Sequence, residues 1–230
     1  MTLDKYRDKF EAIAAILQKD DPIVVEIGAH YGEDTLRFMH FFKNVTIHCF
    51  EPDPRNIAVF KKYIDDERCT LYECALGNID CTDMEFYLGY THFDQASEMQ
   101  DKYKWINKDD YIKYNLNNSG SSSLKPSTRD DLRNTEVTSV QCRRLDTWFQ
   151  ESGLESIDFM WIDVQGAEKE VIEGSGKTLP HLKYIWIEYG QATYEGALTR
   201  KETIELLDQH QFNVAKEYSA KKDKGDLLFF

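Results

Sequence analysis

The segment Val24-Val25-Glu26-Ile27-Gly28-Ala29-His30-Tyr31-Gly32 constrains the fold more than any other part of the chain. Residues 23–27 form a short apolar run, bounded by Asp20-Asp21-Pro22 before it and by glycine after it. That is the pattern of a strand buried on both faces in a parallel sheet. Residues 28–32 predict a turn and 33–42 a helix, so the unit reads strand, glycine turn, helix. The same grammar continues with strands at 45–50 and 70–74 around a helix at 56–64. It resumes with strands at 157–162 and 183–188 and helices at 167–173 and 200–210. A helix over 4–18 leads in, with Tyr6, Phe10, Ile13, Ala14 and Leu17 at helical spacing. This order specifies a Rossmann-like α/β fold: a mostly parallel sheet with right-handed crossovers and helices on both faces. The closing strands, 212–218 and 226–230, predict an antiparallel hairpin at the sheet edge, turning through 220–225.

The middle of the chain breaks the alternation. Strands are expected at 84–88 and 135–142, but residues 89–120 are polar, aromatic and poorly periodic. They run into Asn117-Asn118-Ser119-Gly120-Ser121-Ser122-Ser123, a flexible loop by composition. A loop that long inside a compact domain is usually a binding segment or lid. We therefore expect one domain over residues 1–230, with an insertion at about 89–120 over the active site. Tyr103, Trp105 and Tyr111 within it either stack on a ligand or pack the loop.

Composition narrows the partners. The chain has 230 residues, 41% hydrophobic and 30% charged, a globular balance that needs no disulfides to hold a core. The net charge of -13 argues against a nucleic-acid partner. No run approaches the roughly 18 apolar residues of a membrane span, and the charged N-terminus does not read as a secretory leader. Five cysteines without a CxxC pair suit reduced thiols and a cytoplasmic location.

Two features point to a nucleoside ligand. Gly28 lets the backbone turn sharply and approach a ligand, and the amides of the following helix start can receive an anion. Strand two ends Cys49-Phe50-Glu51-Pro52-Asp53, placing Glu51 where Rossmann-type sheets bind ribose hydroxyls. The glycine spacing is G-x-x-x-G, so the dinucleotide fingerprint G-x-G-x-x-G is absent. A nicotinamide-dependent oxidoreductase is thereby disfavoured, though it shares the ribose acid; a non-catalytic adenosyl-ligand-binding module is the other alternative.

Beyond these features, the chain resembles the FkbM-type methyltransferases, a branch of the class I S-adenosylmethionine-dependent enzymes. The resemblance rests on blocks in family order: Val25-Glu26-Ile27-Gly28-Ala29, Phe50-Glu51-Pro52, Ala75-Leu76-Gly77-Asn78, Gly120-Ser121-Ser122-Ser123-Leu124 and Arg144-Leu145-Asp146. Ile157-Asp158-Phe159, Ile162-Asp163-Val164-Gln165-Gly166-Ala167-Glu168 and Ile187-Glu188 complete it. It implies a sheet of about seven strands and S-adenosyl-L-methionine as the methyl donor. Glu26 and Gly28 would hold its methionine part, Glu51 the ribose, and Ala75-Leu76 the adenine. Ala29, His30, Gly32, Thr35, Pro52, Asn56 and Asp163 complete the implied donor-binding set. The acceptor would be a hydroxyl of a sugar, glycan or similar small molecule. Two departures stand out: Trp161 where many members have lysine, and His30 in place of a small or amide residue.

A hydroxyl acceptor needs a base within hydrogen-bond reach. Asp163, at the end of a buried strand next to the glycine-turn strand, is the leading candidate; it alternatively caps the next helix through the amides of residues 165–167. Glu188 and His30 are the other catalytic candidates. Glu168 sits where the helix dipole alone would favour an acid. Asp163 and Glu188 without a third ligand make a weak metal site, so no metal is expected. Ser121, Ser122 and Ser123 either donate hydrogen bonds to the acceptor or form a plain linker.

Overall fold

A computed structural model describes residues 7–89, 103–129, 136–190, 193–221 and 224–230. Helix α1 (Arg7–Leu17) precedes β1 (Ile23–Ile27), α2 (Glu33–Phe41), β2 (Thr46–Phe50), α3 (Pro54–Tyr63) and β3 (Cys69–Tyr72). Then come β4 (Ala75–Leu76), β5 (Cys81–Leu88), the short α4 (Lys108–Lys113) and β6 (Glu136–Arg143). The second half runs α5 (Leu145–Ser152), β7 (Ile157–Ile162), α6 (Glu168–Glu173), β8 (Leu182–Gly190), α7 (Arg200–Asp208), β9 (Val214–Lys221) and β10 (Lys224–Phe229). Residues 4–6 of the expected first helix and 90–102 of the insertion lie outside the described residues.

The main sheet has seven strands in the order β3-β2-β1-β7-β8-β10-β9. The pairs from β3 through β8 are parallel, and β10 runs antiparallel to both β8 and β9. The expected closing hairpin is present, with β10 inside and β9 at the edge. Alternation along the central strands separates two cores. Val25, Ile27, Met160, Ile162, Ile185 and Ile187 pack on one face with Leu145, Trp148, Val171 and Leu207 from α5, α6 and α7. Val24, Phe159, Trp161 and Trp186 pack on the other with Phe10, Phe38 and Phe60 from α1, α2 and α3. All six residues of β7 are buried, as a central parallel strand requires.

Three features differ from the sequence reading. The strand expected at 70–74 stops at Tyr72, and Ala75–Leu76 joins a separate three-stranded sheet, β4-β6-β5, with its own core of Phe86, Leu88 and Val140. Helix α5 was not anticipated, although Leu145, Trp148 and Phe149 have helical spacing and Gly153 ends it in the left-handed region. Residues 117–123 are not a loose loop: Ser119, Ser121 and Ser123 are buried and the run is tied down by hydrogen bonds described below. No helix among the described residues is long and apolar enough to cross a membrane.

The turn after β1 depends on close backbone approach. Gly28 has φ +87°, and a Cβ there would lie 1.9 Å from the Asp163 carbonyl oxygen at the end of β7. Its amide and that of Ala29 both donate to the Phe50 carbonyl at the end of β2, at 2.9 and 3.0 Å. We expect Gly28→Ala to lower stability by about 3 kcal/mol or more in denaturant unfolding, combining left-handed strain with separation of β1 from β7. Gly153 has φ +70° but nothing within 4 Å of its missing Cβ, so Gly153→Ala should cost only about 1 kcal/mol.

Candidate active site

A cleft of about 310 Å³ opens at the carboxyl ends of β1, β2 and β7, where open α/β sheets bind ligands. Gly28, Ala29, His30, Glu51, Pro52, Asn56 and Asp163 line it, as do Ala75 and Leu76 from β4 and Ser121 and Ser122 from the serine run. Glu26, Gly32, Thr35, Glu188 and Ser123 lie behind this wall. Glu26 is buried and accepts from the Thr35 hydroxyl at 2.6 Å, so these two brace β1 against α2. Gly32 is needed for packing, since a Cβ there would meet Ile64 at 2.0 Å.

Glu51 is almost fully buried. One carboxyl oxygen accepts from the His30 amide at 2.8 Å. The other accepts from the Asp53 amide at 2.9 Å and the Asn56 side-chain amide at 3.1 Å. Burial, then the charge of Asp53, raises its pKa to about 7. Asn56 turns its oxygen into a buried position with no hydrogen-bond partner among the described residues. Glu51 and Asn56 thus present acceptor capacity at the wall, beside the apolar Leu76, Phe86 and Leu124. An adenosyl group, with hydroxyl and amino donors and a flat apolar base, fits this donor-poor and partly apolar surface.

Three amides of the glycine turn are already taken. Those of Gly28, Ala29 and His30 are engaged with Phe50 and Glu51. The first turn of α2 brings Glu33 and Asp34 into the wall, Glu33 paired with His30 and Asp34 with Arg37.

Asp163 does not cap α6. Its carboxylate accepts from the Gln165 side-chain amide at 2.5 Å, and that amide also lies 3.3 Å from Glu188. The amides of Val164 and Gly166 donate to Glu168, a buried acid that closes the loop on itself; burial raises its pKa to about 7. The Gln165 side-chain amide thus bridges Asp163 and Glu188. Burial and the charge of Asp163 push Glu188 well above the usual carboxylate range, and burial raises Asp163 as well.

Gln165 is the residue that sequence reasoning missed. It holds φ +56°, and its side-chain oxygen lies 3.2 Å from the Tyr194 hydroxyl, which also donates to the Ser121 carbonyl at 3.0 Å. The serine hydroxyls are engaged as well. Ser121 donates to the Asn118 carbonyl, Ser122 to Asp53 and Ser123 to the Gln165 carbonyl, at 2.7 to 2.8 Å. The run is therefore a strap across the cleft. Arg55 secures it, donating to Asp53, to Ser122 and to the Gly89 and Asn115 carbonyls.

His30 has φ +52° and pairs through Nδ1 with Glu33 at 2.9 Å, while Nε2 lies 3.4 Å from the Ser119 hydroxyl. Of the insertion aromatics among the described residues, only Tyr103 reaches the wall, edge-on to His30 and Tyr31. Trp105 packs on Tyr63, and Tyr111 is buried in the same satellite core. Among the described residues no group of three His, Cys, Asp or Glu side chains is placed to hold a metal ion.

The fold is that of a class I methyltransferase. The precorrin-6y C5,15-methyltransferase of Geobacter metallireducens shares the fold, with a TM-score of 0.50 at 12% identity over 100% of this chain and 90% of that one. The family described as the Methyltransferase FkbM domain matches residues 26–214, and the chain belongs to that family. It is a methyltransferase, and the methyl donor of the family is S-adenosylmethionine. The 2-O-methyltransferase NoeI of Sinorhizobium fredii is 34% identical over 207 residues, 85% of this chain and 74% of that protein. A further relative, the AMB antimetabolite synthetase AmbE of Pseudomonas aeruginosa, is 24% identical over 216 residues, 87% of this chain but 10% of its own length.

Glu168 gives a test of the buried loop. Its pKa rises from 4.5 unfolded to about 7 folded, so the folded state holds the extra proton between those values. Stability is then highest below the unfolded value and falls as pH rises through about 7. A shift of this size is worth on the order of 3 kcal/mol. Thermal unfolding should show a lower Tm at pH 8 than at pH 5, and Glu168→Gln should reduce that difference.

Proposed function

We propose that the chain transfers a methyl group from S-adenosylmethionine to a hydroxyl of a sugar, glycan or similar small molecule. The observation that carries the reading is the Asp163–Glu188 carboxyl pair beside the glycine turn, a proton acceptor where a hydroxyl nucleophile needs one. The likeness to a relative named as a 2-O-methyltransferase supports the same chemistry.

Bound S-adenosylmethionine supplies an activated methyl on a sulfonium. The chain's residues hold and align the partners, which is most of what an in-line displacement requires. Glu51, with Asn56, accepts from the ribose hydroxyls, and Ala75, Leu76 and Phe86 flank the base. Glu33 and Asp34 face the cationic end. Asp163 would take the proton of the acceptor hydroxyl, with the donor supplying the methyl group and leaving as the neutral thioether. Gln165 keeps that carboxylate in place, and the serine strap keeps bulk water from the cleft.

Calorimetry with S-adenosylhomocysteine and NAD in parallel tests the donor assignment, and binding of NAD alone would overturn it. Glu51→Gln should weaken S-adenosylhomocysteine binding by about 1.5–3 kcal/mol, the scale of hydrogen bonds to a charged group. A labelled-methyl assay on a glycan panel tests the acceptor class, which fails if label enters only non-hydroxyl sites. Asp163→Asn should lower the rate by about 10²–10⁴ while S-adenosylhomocysteine affinity stays within a few-fold. The unmutated rate should rise with pH as the carboxyl pair loses its proton, and Asp163→Asn should remove that rise.

A further inference from the structure

Helix α1 brings a cation to the far side of the carboxyl pair. Phe10 seats the helix by packing on Trp161 and Phe38, with ring centroids 5.7 and 4.9 Å apart. Its neighbour Lys9 reaches over the Trp186 ring and pairs with Asp226 at 2.6 Å, both side chains largely buried at 15% and 13% exposure. Asp226 stands directly opposite Glu188 in the β8–β10 register. The row therefore reads Lys9, Asp226, Glu188, Asp163, Gln165, running from α1 across three strands into the cleft.

We propose that Lys9, acting through Asp226, sets the charge that the Asp163–Glu188 pair presents to the sulfonium, so that the site favours the cationic methyl donor over its neutral thioether product. This rests on the donor assignment above. The physical basis is Coulombic. Asp226 opposes ionisation of both members of the pair, and a partly buried cation 2.6 Å from Asp226 offsets that opposition. The other charged groups facing the pair are Glu168 from α6, Lys224 from β10, Asp34 from α2 and His30 from the glycine turn. Of these groups, Lys9 is the one α1 supplies. Its position is fixed by a helix that contributes nothing to the cleft wall, so Lys9 is a positioning residue, not a catalytic one.

The test is the affinity of S-adenosylmethionine relative to S-adenosylhomocysteine, measured by calorimetry from pH 5 to 9, which needs no acceptor. In the unmutated protein the preference for the sulfonium should grow with pH as the pair ionises. Lys9→Met should move that growth to higher pH and lower the preference at pH 7 by roughly fivefold or more. Lys9→Arg should restore the unmutated curve. Asp226→Asn removes the opposing charge and should move the curve the other way, a reversal that loss of packing would not produce. Unchanged curves in folded Lys9→Met and Asp226→Asn would overturn the proposal while leaving the donor assignment intact. Failure of the unmutated protein to bind either compound would overturn the donor assignment itself.

Discussion

The structure depends on the contact between Gly28 and the backbone of Asp163. Two parallel strands end side by side there, and one must turn away within a space that admits no side chain. With hydrogen at that position, the β1 turn bonds to the end of β2 on one side and packs on the end of β7 on the other. Every wall of the cleft is referenced to this junction: Glu51 through the His30 amide, Asp163 through its own carbonyl, and α2 through the continuation of the turn. The left-handed backbone of His30 and Gly32 follows from the same tight return.

The parts of the fold and cleft written locally were legible. Gly28 and Glu51 announce themselves by type and by position at strand ends, and the parallel sheet follows from the alternation of elements, though its strand order does not. What depended on distant partners was not. Ser121, Ser122 and Ser123 look like linker because serine is a turn former, yet Asp53 and Gln165, far away in sequence, fix them. Gln165 reads as an ordinary loop residue until its left-handed backbone swings the amide between Asp163 and Glu188. Tyr194 joins the cleft only through a contact across the fold, and Gly166 is glycine because a Cβ would lie 2.5 Å from that tyrosine. A two-residue strand such as β4 carries too few residues to show a period. Helix α5 did carry one in Leu145, Trp148 and Phe149, and motif-based reading passed over it.

Burial sets the electrostatic character of the site. Glu51 and Glu168 are raised to about 7 and Asp34 to about 6, in each case first by removal from water. Each is opposed further by a neighbouring acid, Glu51 by Asp53, Glu168 by Asp163, and Asp34 by Glu33 and Asp163. A cation entering the cleft relieves that opposition, whereas an anion adds to it. The arrangement therefore selects by ligand charge before any particular contact is made.

Arg55 has a consequence for how such a protein diversifies. Its guanidinium holds the carbonyls of Gly89 and Asn115 at 3.1 and 3.3 Å, tying the end of β5 to the segment that follows α4. The entropic cost of closing a loop grows only slowly with its length, and here both ends are pinned to one rigid group. Residues 103–116 are themselves packed on the body through Tyr103, Ile106, Tyr111 and Leu116, so they are not free to vary independently of it. A change at Arg55 would instead act at once on the serine strap, the end of β5 and the segment after α4, while Gly28 and Glu51 keep their places.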